Sequence, residues 1–493
     1  MGSKREQAVG AVQCHGIEDF VLQRDRSLAE SGENPDPCTG EVLNTSDTQD
    51  ENRIPGNSDT GRCGIEISMA LSGGGFRATL FHLGAVRRLV ELGLFRQIRR
   101  ISSASGGSIL NGLIGLHFKE IRGLEDFDRI ITRKIMDIVK INVRNRLLYP
   151  LPYFTSRREF CSLMDKHLFE GKHLSDLSGQ VKCIFNATDL KHGMRWRFNG
   201  TDFGGYEYGY CRSTEEIRIS EAVYASAAFP GLLKAYKIPV HRFTFKKKGA
   251  DGIVSESENT ESIQLLDGGI YDNTAITGLQ SHLKGEGNHF VIVSDAIETF
   301  DRNAKYFNFL NQIKRTGLII LDRKTRVERQ ALGECFKRKV LPDKTVAQAQ
   351  LKGVIFLIGR GCDYYGDFKS EELLIPDTRA GIPENTGFPQ DVVDRLSNMR
   401  TDFDKFHDVE IECLMYHGAS LLDTTLRIWH PDIYDSIPHP ELQPPVIGRK
   451  AALVLMSCHR AFLFGFIRCL YILWQKLKKN PFPRRLSSGR SGI

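Results

Sequence analysis

The sequence predicts an α/β protein: a central, mostly parallel sheet with helices on both faces, in three layers, followed by a separate C-terminal helix. Three observations carry that expectation. Two strand–helix pairs follow one another between residues 65 and 118, four more short apolar runs recur downstream, and both early strand-to-helix turns are built of serine and glycine. Parallel strands need helical crossovers, and strands buried on both faces read as unbroken apolar runs.

Residues 65–71, Ile-Glu-Ile-Ser-Met-Ala-Leu, read as the first strand, 79–92 as an amphipathic helix, 100–104 as the second strand and 108–118 as a second helix. A βαβα unit of this kind closes right-handed onto one sheet. Runs at 181–187, 263–266, 290–294 and 354–358 are candidate buried strands of the same sheet. A charged stretch over 301–340, including 308–321, is expected to add helices over the core. Five prolines, Pro431, Pro438, Pro440, Pro444 and Pro445, mark a linker over 430–447.

The two ends differ from the body. Residues 1–62 hold 12 acidic and 6 basic side chains and few large apolar ones, which predicts a disordered acidic tail. Residues 448–493 hold 10 basic side chains and no acidic one. A nearly neutral body with a basic end points to an anionic surface as partner. The 11 cysteines include no CxxC pair, so they read as reduced thiols in a cytosolic protein. Charged residues throughout the first thirty positions leave no secretory core.

Chemistry concentrates in three segments. Ser72-Gly73-Gly74-Gly75-Phe76-Arg77-Ala78 lies between a strand and a helix start. Consecutive glycine N–H groups and the helix N-terminus make such a turn either an anion hole or simply a tight connection. Neither GxxxxGK[ST] nor GxGxxG is present, so the turn does not read as a nucleotide site. Ser103-Ala104-Ser105-Gly106-Gly107 has the strand–turn–helix setting of a nucleophile elbow, with Ser105 at its centre. Asp267 ends the apolar run before Gly268-Gly269, at the strand edge where open α/β sheets place their sites, and supplies the base that a serine needs. His82, His117 and His417 are alternative bases, but a mid-helix histidine such as His82 is more often packed than catalytic.

In this order and spacing, the three segments resemble the signature blocks of patatin-like phospholipases. Residues 186–190 (Asn-Ala-Thr-Asp-Leu), 225–231 (Ala-Ser-Ala-Ala-Phe-Pro-Gly) and 400–403 (Arg-Thr-Asp-Phe), followed by Glu410 and Gly418, are similar to bacterial members, extending the likeness over about residues 64–425. The resemblance implies a Ser-Asp dyad without histidine: Ser105 as nucleophile, Asp267 as base, and an oxyanion hole from Gly73, Gly74, Gly75 and Gly106. Asp267 is then expected to be shielded, since burial raises the pKa of a carboxylate. Arg77 is a candidate for a lipid phosphate, or for pairing with a carboxylate of the fold. At position 103, where the family motif usually has glycine, this chain has serine.

The resulting domain reading is a tail over 1–62, an acyl hydrolase domain over 63–429, the linker over 430–447, and a C-terminal helix and tail over 448–493. Residues 451–474 are mainly apolar, but Arg460 and Arg468 interrupt them, and two central arginines cost roughly 5–7 kcal/mol on the insertion scale. Lys476, Lys478, Lys479, Arg484 and Arg485 follow Trp474. This composition fits a helix lying in the interface of an anionic membrane, with packing on the body as the alternative. No metal motif and no cofactor signature is present, and nucleic acid is not an expected partner. The expected activity is hydrolysis of fatty acyl esters of membrane glycerolipids by a cytoplasmic, peripheral membrane enzyme. The rival readings are a lipid-binding protein on the same fold and an esterase of soluble substrates.

Overall fold

The computed structural model describes residues 64–148, 152–230, 233–249, 252–254, 261–279, 289–297, 309–336, 352–366 and 386–445. The tail expected over 1–62 and the helix expected over 448–493 lie outside these residues. Twelve strands are described: β1 (Glu66–Leu71), β2 (Ile98–Ser103), β3 (Lys182–Asp189), β4 (Arg195–Phe198), β5 (Phe203–Gly205), β6 (Gly209–Cys211), β7 (Tyr236–Pro239), β8 (Lys247–Gly249), β9 (Gly252–Val254), β10 (Ser262–Asp267), β11 (His289–Asp295) and β12 (Gly353–Leu357). Ten of them form one sheet in the order β12-β11-β1-β2-β3-β4-β5-β6, with β10 beside β3 and β7 beside β10. The five strands from β12 to β3 are parallel. The remaining pairings are antiparallel, and β8 with β9 makes a separate hairpin. The expected mostly parallel α/β sheet is therefore present, with an antiparallel wing that the sequence did not announce.

The register of β3 builds the site. Its first half pairs with β2, through Arg100↔Lys182 to Ser103↔Phe185, and its last residues pair with β10, through Asp267↔Ala187. The carboxyl ends of β2 and β10 are thus brought to the same edge of β3. A serine at residue 105 and an aspartate at residue 267 become neighbours although 162 residues separate them.

Helices that matter to the site are α1 (Gly75–Glu91), α2 (Gly106–His117), α3 (Ile219–Ser226), α4 (Gly268–Asp272), α5 (Phe309–Phe336), α6 (Gln390–Ser397) and α7 (Asp408–Trp429). The first helix starts at Gly75, four residues before the expected 79, with the last glycine of the run as its first residue and Gly74 as its N-cap. The fifth runs well past 321. Ion pairs at helical spacing, Asp322–Arg326 and Lys324–Glu328, carry it through the charged stretch. Pro431 opens a short helical turn, Pro431–Tyr434, inside the expected linker. Proline suits that first position, whose N–H needs no intrahelical partner.

Helices α1 and α7 cross at backbone contact. A β-carbon on Gly84 would lie 1.8 Å from the carbonyl oxygen of Met415, and one on Gly418 would lie 2.0 Å from that of Phe81. Each glycine thus admits the backbone of the other helix. Arg88 on α1 is fully buried and donates through Nε to Asp423 of α7 at 2.8 Å. Removing one partner of such a pair strands a buried charge. His82 and His417 are both fully buried, each with its pKa lowered by burial to about 4.

The six described cysteines, at positions 161, 183, 211, 335, 362 and 413, are free and buried. Among the described residues no helix is long and apolar enough to cross a membrane.

The crossing gives a direct test. Gly418→Ala should destabilise the protein by roughly 1–3 kcal/mol, the usual cost of overpacking a core, and lower the midpoint of urea unfolding without changing its slope. An unchanged midpoint would refute the close crossing.

Candidate active site

The turn after β2 places Ser105 at φ 48°, ψ −120° as the N-cap of α2. A non-glycine residue at positive φ is strained by roughly 1–3 kcal/mol and persists only when its surroundings hold it. Here the holding is specific. The Ser105 N–H is shared between the carbonyl and the hydroxyl oxygen of Ser226, at 3.1 and 3.0 Å.

From Ser226 a chain of buried hydroxyls runs back under the elbow. Ser226 Oγ lies 2.8 Å from Ser108 Oγ, which lies 2.9 Å from Ser103 Oγ. Ser103 also receives Asn111 Nδ2 at 2.8 Å and lies 3.2 Å from the carbonyl oxygen of Ile184. One direction satisfies every member: Ser226 donates to Ser108, Ser108 to Ser103 and Ser103 to Ile184. Each hydroxyl has a single proton to give. Serine at position 103, the departure from the expected glycine, is the terminus of this chain.

The glycine turn adopts φ 137° at Gly74 and 57° at Gly75, values that L side chains rarely adopt. The N–H groups of Gly74, Gly75 and Gly106 have no acceptor among the described residues. Gly73 does not join them. Its N–H donates to the Asn273 carbonyl at 3.1 Å, which removes it from the four expected oxyanion donors. Neither α1 nor α2 has a side-chain cap or an acidic residue in its first turn, so their positive ends are not neutralised locally.

Asp267 is 3% exposed and caps α4, accepting from the Gly269 N–H at 2.7 Å. Its own N–H donates to the Ala228 carbonyl. Burial raises its pKa to about 6, against the opposing effects of the Gly269 N–H bond and of the nearby Ser105 hydroxyl. The two residues singled out in the sequence thus act on each other. Gly268 is required because a β-carbon there would lie 2.2 Å from the Asn186 carbonyl oxygen.

Arg77 corrects an expectation. It is fully buried, and its guanidinium donates to the carbonyls of Ser397 and Met399 through Nη1 and of Ala296 through Nη2. Instead of reaching a lipid phosphate or a carboxylate, it fastens the glycine turn to the segment after α6 and to the end of β11. The histidines are also engaged elsewhere. His82 Nε2 faces the Ser72 carbonyl, so it carries the proton, and Nδ1 accepts from Ser294 Oγ. His417 Nε2 donates to the Ile358 carbonyl, and His117 meets Glu120.

Sequence reasoning missed Ser108, Ser226 and Asn273. Besides accepting from Gly73, Asn273 sets its Oδ1 2.4 Å from where a β-carbon on Gly73 would stand and 2.5 Å from one on Gly269, so it fills the gap between the two glycine turns. No spacing rule links residues 226 or 273 to 105. The only available signal was their position in small polar runs next to the expected blocks. Among the described residues there is no group of three or more histidine, cysteine or carboxylate side chains able to hold a metal ion.

Residues 69–279, which include both turns and Asp267, match the family model of patatin-like phospholipase. Over this segment the chain is similar to patatin-like phospholipases. Solved structures similar to the chain include human GIVD cytosolic phospholipase A2, at 12% identity and a TM-score of 0.42, covering 76% of this chain and 60% of that one. VipD from Legionella pneumophila is similar at 12% identity and a TM-score of 0.26, covering 84% of this chain and 76% of that one. The chain therefore spans about 60% of the human protein's length. No curated protein sequence matches.

The raised pKa of Asp267 in the patatin-like segment has a thermodynamic consequence. An unfolded aspartate ionises near 3.8, whereas the folded one holds its proton up to about pH 6. The fold is therefore favoured below the lower value and loses that advantage as pH rises through the higher one, a difference of about 3 kcal/mol. Asp267→Asn should accordingly stabilise the protein at pH 7.5 relative to wild type, and the gain should shrink towards pH 4. Urea titrations at both pH values test this, and a destabilised variant at pH 7.5 would contradict the buried, ionised carboxylate.

Proposed function

We propose that this protein is a lipid acyl hydrolase of the phospholipase A or lysophospholipase kind, cleaving fatty acyl esters of membrane glycerolipids through Ser105 and Asp267. One observation carries the reading: the Ser105 hydroxyl acts on a buried carboxylate with a raised pKa, at a strained turn beside uncapped helix N-termini. The patatin-like phospholipase match over residues 69–279 supports a lipid ester as substrate.

In this mechanism Ser105 Oγ attacks the ester carbonyl carbon while Asp267 takes the hydroxyl proton. Negative charge collects on the carbonyl oxygen, where the N–H groups of Gly74, Gly75 and Gly106 stabilise it. The carbon–oxygen bond to the glycerol side then breaks, and Asp267 returns the proton to the departing alkoxide. Water, deprotonated by the same carboxylate, attacks the acyl-serine and releases the fatty acid. A pKa of about 6 makes Asp267 a far better base than an ordinary aspartate while leaving it ionised at neutral pH.

The pH dependence follows from the base. Hydrolysis should fall below about pH 6 as Asp267 becomes protonated, and Ser105→Ala and Asp267→Asn should each abolish it with folding intact. The double variant should be no worse than either single one, because the two groups act together. Vesicle hydrolysis across pH 4.5–8 checks all three, and wild-type rates in Ser105→Ala would end the reading.

We place this activity in residues 63–429 and assign residues 448–493 to peripheral attachment at an anionic membrane surface in the cytoplasm. The supporting feature is composition: the apolar run 451–474 followed by Lys476, Lys478 and Lys479. Deleting 448–493 should reduce vesicle binding and spare hydrolysis of a short soluble ester. Neutralising the three lysines should weaken binding to anionic vesicles by roughly a hundredfold, and raised salt should have the same effect. Vesicle binding that ignores both salt and the deletion would overturn the assignment.

A further inference from the structure

Away from the dyad, the sheet carries an arrangement of charge that the hydrolase reading does not use. Arg100 of β2 and Lys182 of β3 are direct partners in the parallel register. Partners in register lie on the same face of a sheet, where like charges directly opposite destabilise the pair. Both side chains are only partly exposed, yet neither makes an ion pair or a side-chain hydrogen bond among the described residues. Nε and Nη1 of Arg100 are buried with no acceptor.

A third cation adds to the excess. Arg197 of β4 acts electrostatically on Lys182, and its Nε is also buried without an acceptor. Its Nη2 lies 3.4 Å from Asp202, and its guanidinium lies over the ring of Tyr210. Asp202 already accepts from Asn199 Nδ2 and Thr201 Oγ1. Glu66, the carboxylate that acts on Arg100, is within ion-pair reach of Arg99 and His289. Burial lowers the pKa of both Arg100 and Lys182, and the neighbouring cations lower Lys182 further.

We infer that Arg100, Lys182 and Arg197 form an anion site for a phosphate group, in inorganic phosphate or a phosphomonoester. Among the described residues Asp202 is the one carboxylate in ion-pair reach of these three cations, and Glu66 is shared with Arg99 and His289, which leaves an excess of positive charge that a phosphate dianion matches. Phosphate also supplies several acceptor oxygens, which suits guanidinium and ammonium groups, donors that cannot accept. Arg100 stands five residues before Ser105, about 16 Å back along the strand direction, so this site is separate from the hydrolytic one.

The test uses the full-length chain and inorganic phosphate against chloride at matched ionic strength. Phosphate should raise the unfolding temperature in a saturable way and show saturable heat in calorimetry. Arg100→Met and Lys182→Met should each weaken that binding by about tenfold or more, and in chloride each should unfold at or above the wild-type temperature because a facing like charge is gone. Arg197→Gln, at the rim, should weaken binding in the same direction and serves if either inner variant fails to fold. Vesicles of phosphatidylcholine with and without phosphatidic acid, presented to Ser105→Ala, identify the source. Binding that requires Arg100 and Lys182 and is competed by phosphate marks a lipid phosphomonoester, whereas stabilisation by phosphate with vesicle binding indifferent to both residues marks a soluble one. Wild type that responds equally to phosphate and chloride, or an unchanged phosphate response in all three variants, would overturn the site. Neither result depends on hydrolysis, so the proposal and the hydrolase reading fail separately.

Discussion

The two strand-to-helix turns at the ends of β1 and β2 touch backbone to backbone, and the active site depends on that contact. A β-carbon on Gly106 would lie 2.0 Å from the Gly75 carbonyl oxygen, and one on Gly75 would lie 1.7 Å from that of Thr401. Three segments distant in sequence are therefore stacked with no side chain between them. The stack holds because Arg77 ties it from inside, donating to carbonyls on two of the flanking segments. Bidentate ion pairing between Arg400 and the fully buried Glu410 fixes the outer segment in turn. With the stack in place, the N–H groups of Gly74, Gly75 and Gly106 are left pointing away from any protein acceptor. The hole for negative charge that we propose is thus a by-product of close packing, and no side chain has to be ordered to create it.

The same enclosure sets the chemistry of Asp267. A carboxylate at the end of a strand ordinarily stays a weak base, and here desolvation outweighs the Gly269 N–H bond and the Ser105 hydroxyl, which favour the charged form. Stability and reactivity are opposed at this residue, as expected where a pKa is tuned for proton transfer. Histidine does not share the work. His82 is held neutral by burial and uses its ring to brace Ser72 and Ser294, the residues just behind the glycine turn. A protonated imidazole there would have to be solvated in a closed core.

The parallel core was legible because each of its strands is an apolar run that no other element explains. Ile67, Met69, Phe290, Ile292, Val354 and Phe356 are all buried where expected. The wing was not legible: β4, β5 and β6 are three or four residues long and lie among glycines and charged residues, too short for alternation to show. The turns that carry Ser105 and Asp267 were readable because turn chemistry is local, and glycine with serine between a strand and a helix has few uses. Arg77 was misread for the opposite reason. Its partners are backbone carbonyls at 296, 397 and 399, which carry no sequence signal. Gly73 was misassigned similarly, since the Asn273 carbonyl that claims its N–H is invisible to residue type.

Serine at position 103 shows how a departure from a motif is resolved by its surroundings. Glycine there leaves room for strand and helix to approach, and a hydroxymethyl group in the same place must be accommodated and its hydroxyl satisfied. In this chain the hydroxyl meets both demands: it accepts from Asn111 and Ser108 and gives its proton to the Ile184 carbonyl. Removing it would leave the buried Ser108 hydroxyl without its acceptor, at a cost of about 1–3 kcal/mol, while Asn111 Nδ2 keeps the carbonyls of Ile101 and Ile184. Ser103, Ser108, Asn111 and Ser226 therefore form one polar unit, and its far end holds the N–H of Ser105. The unit links the position that breaks the pattern to the residue whose strained backbone the pattern exists to support. Serine at this position changes how the elbow is braced and leaves Ser105 at the strained turn.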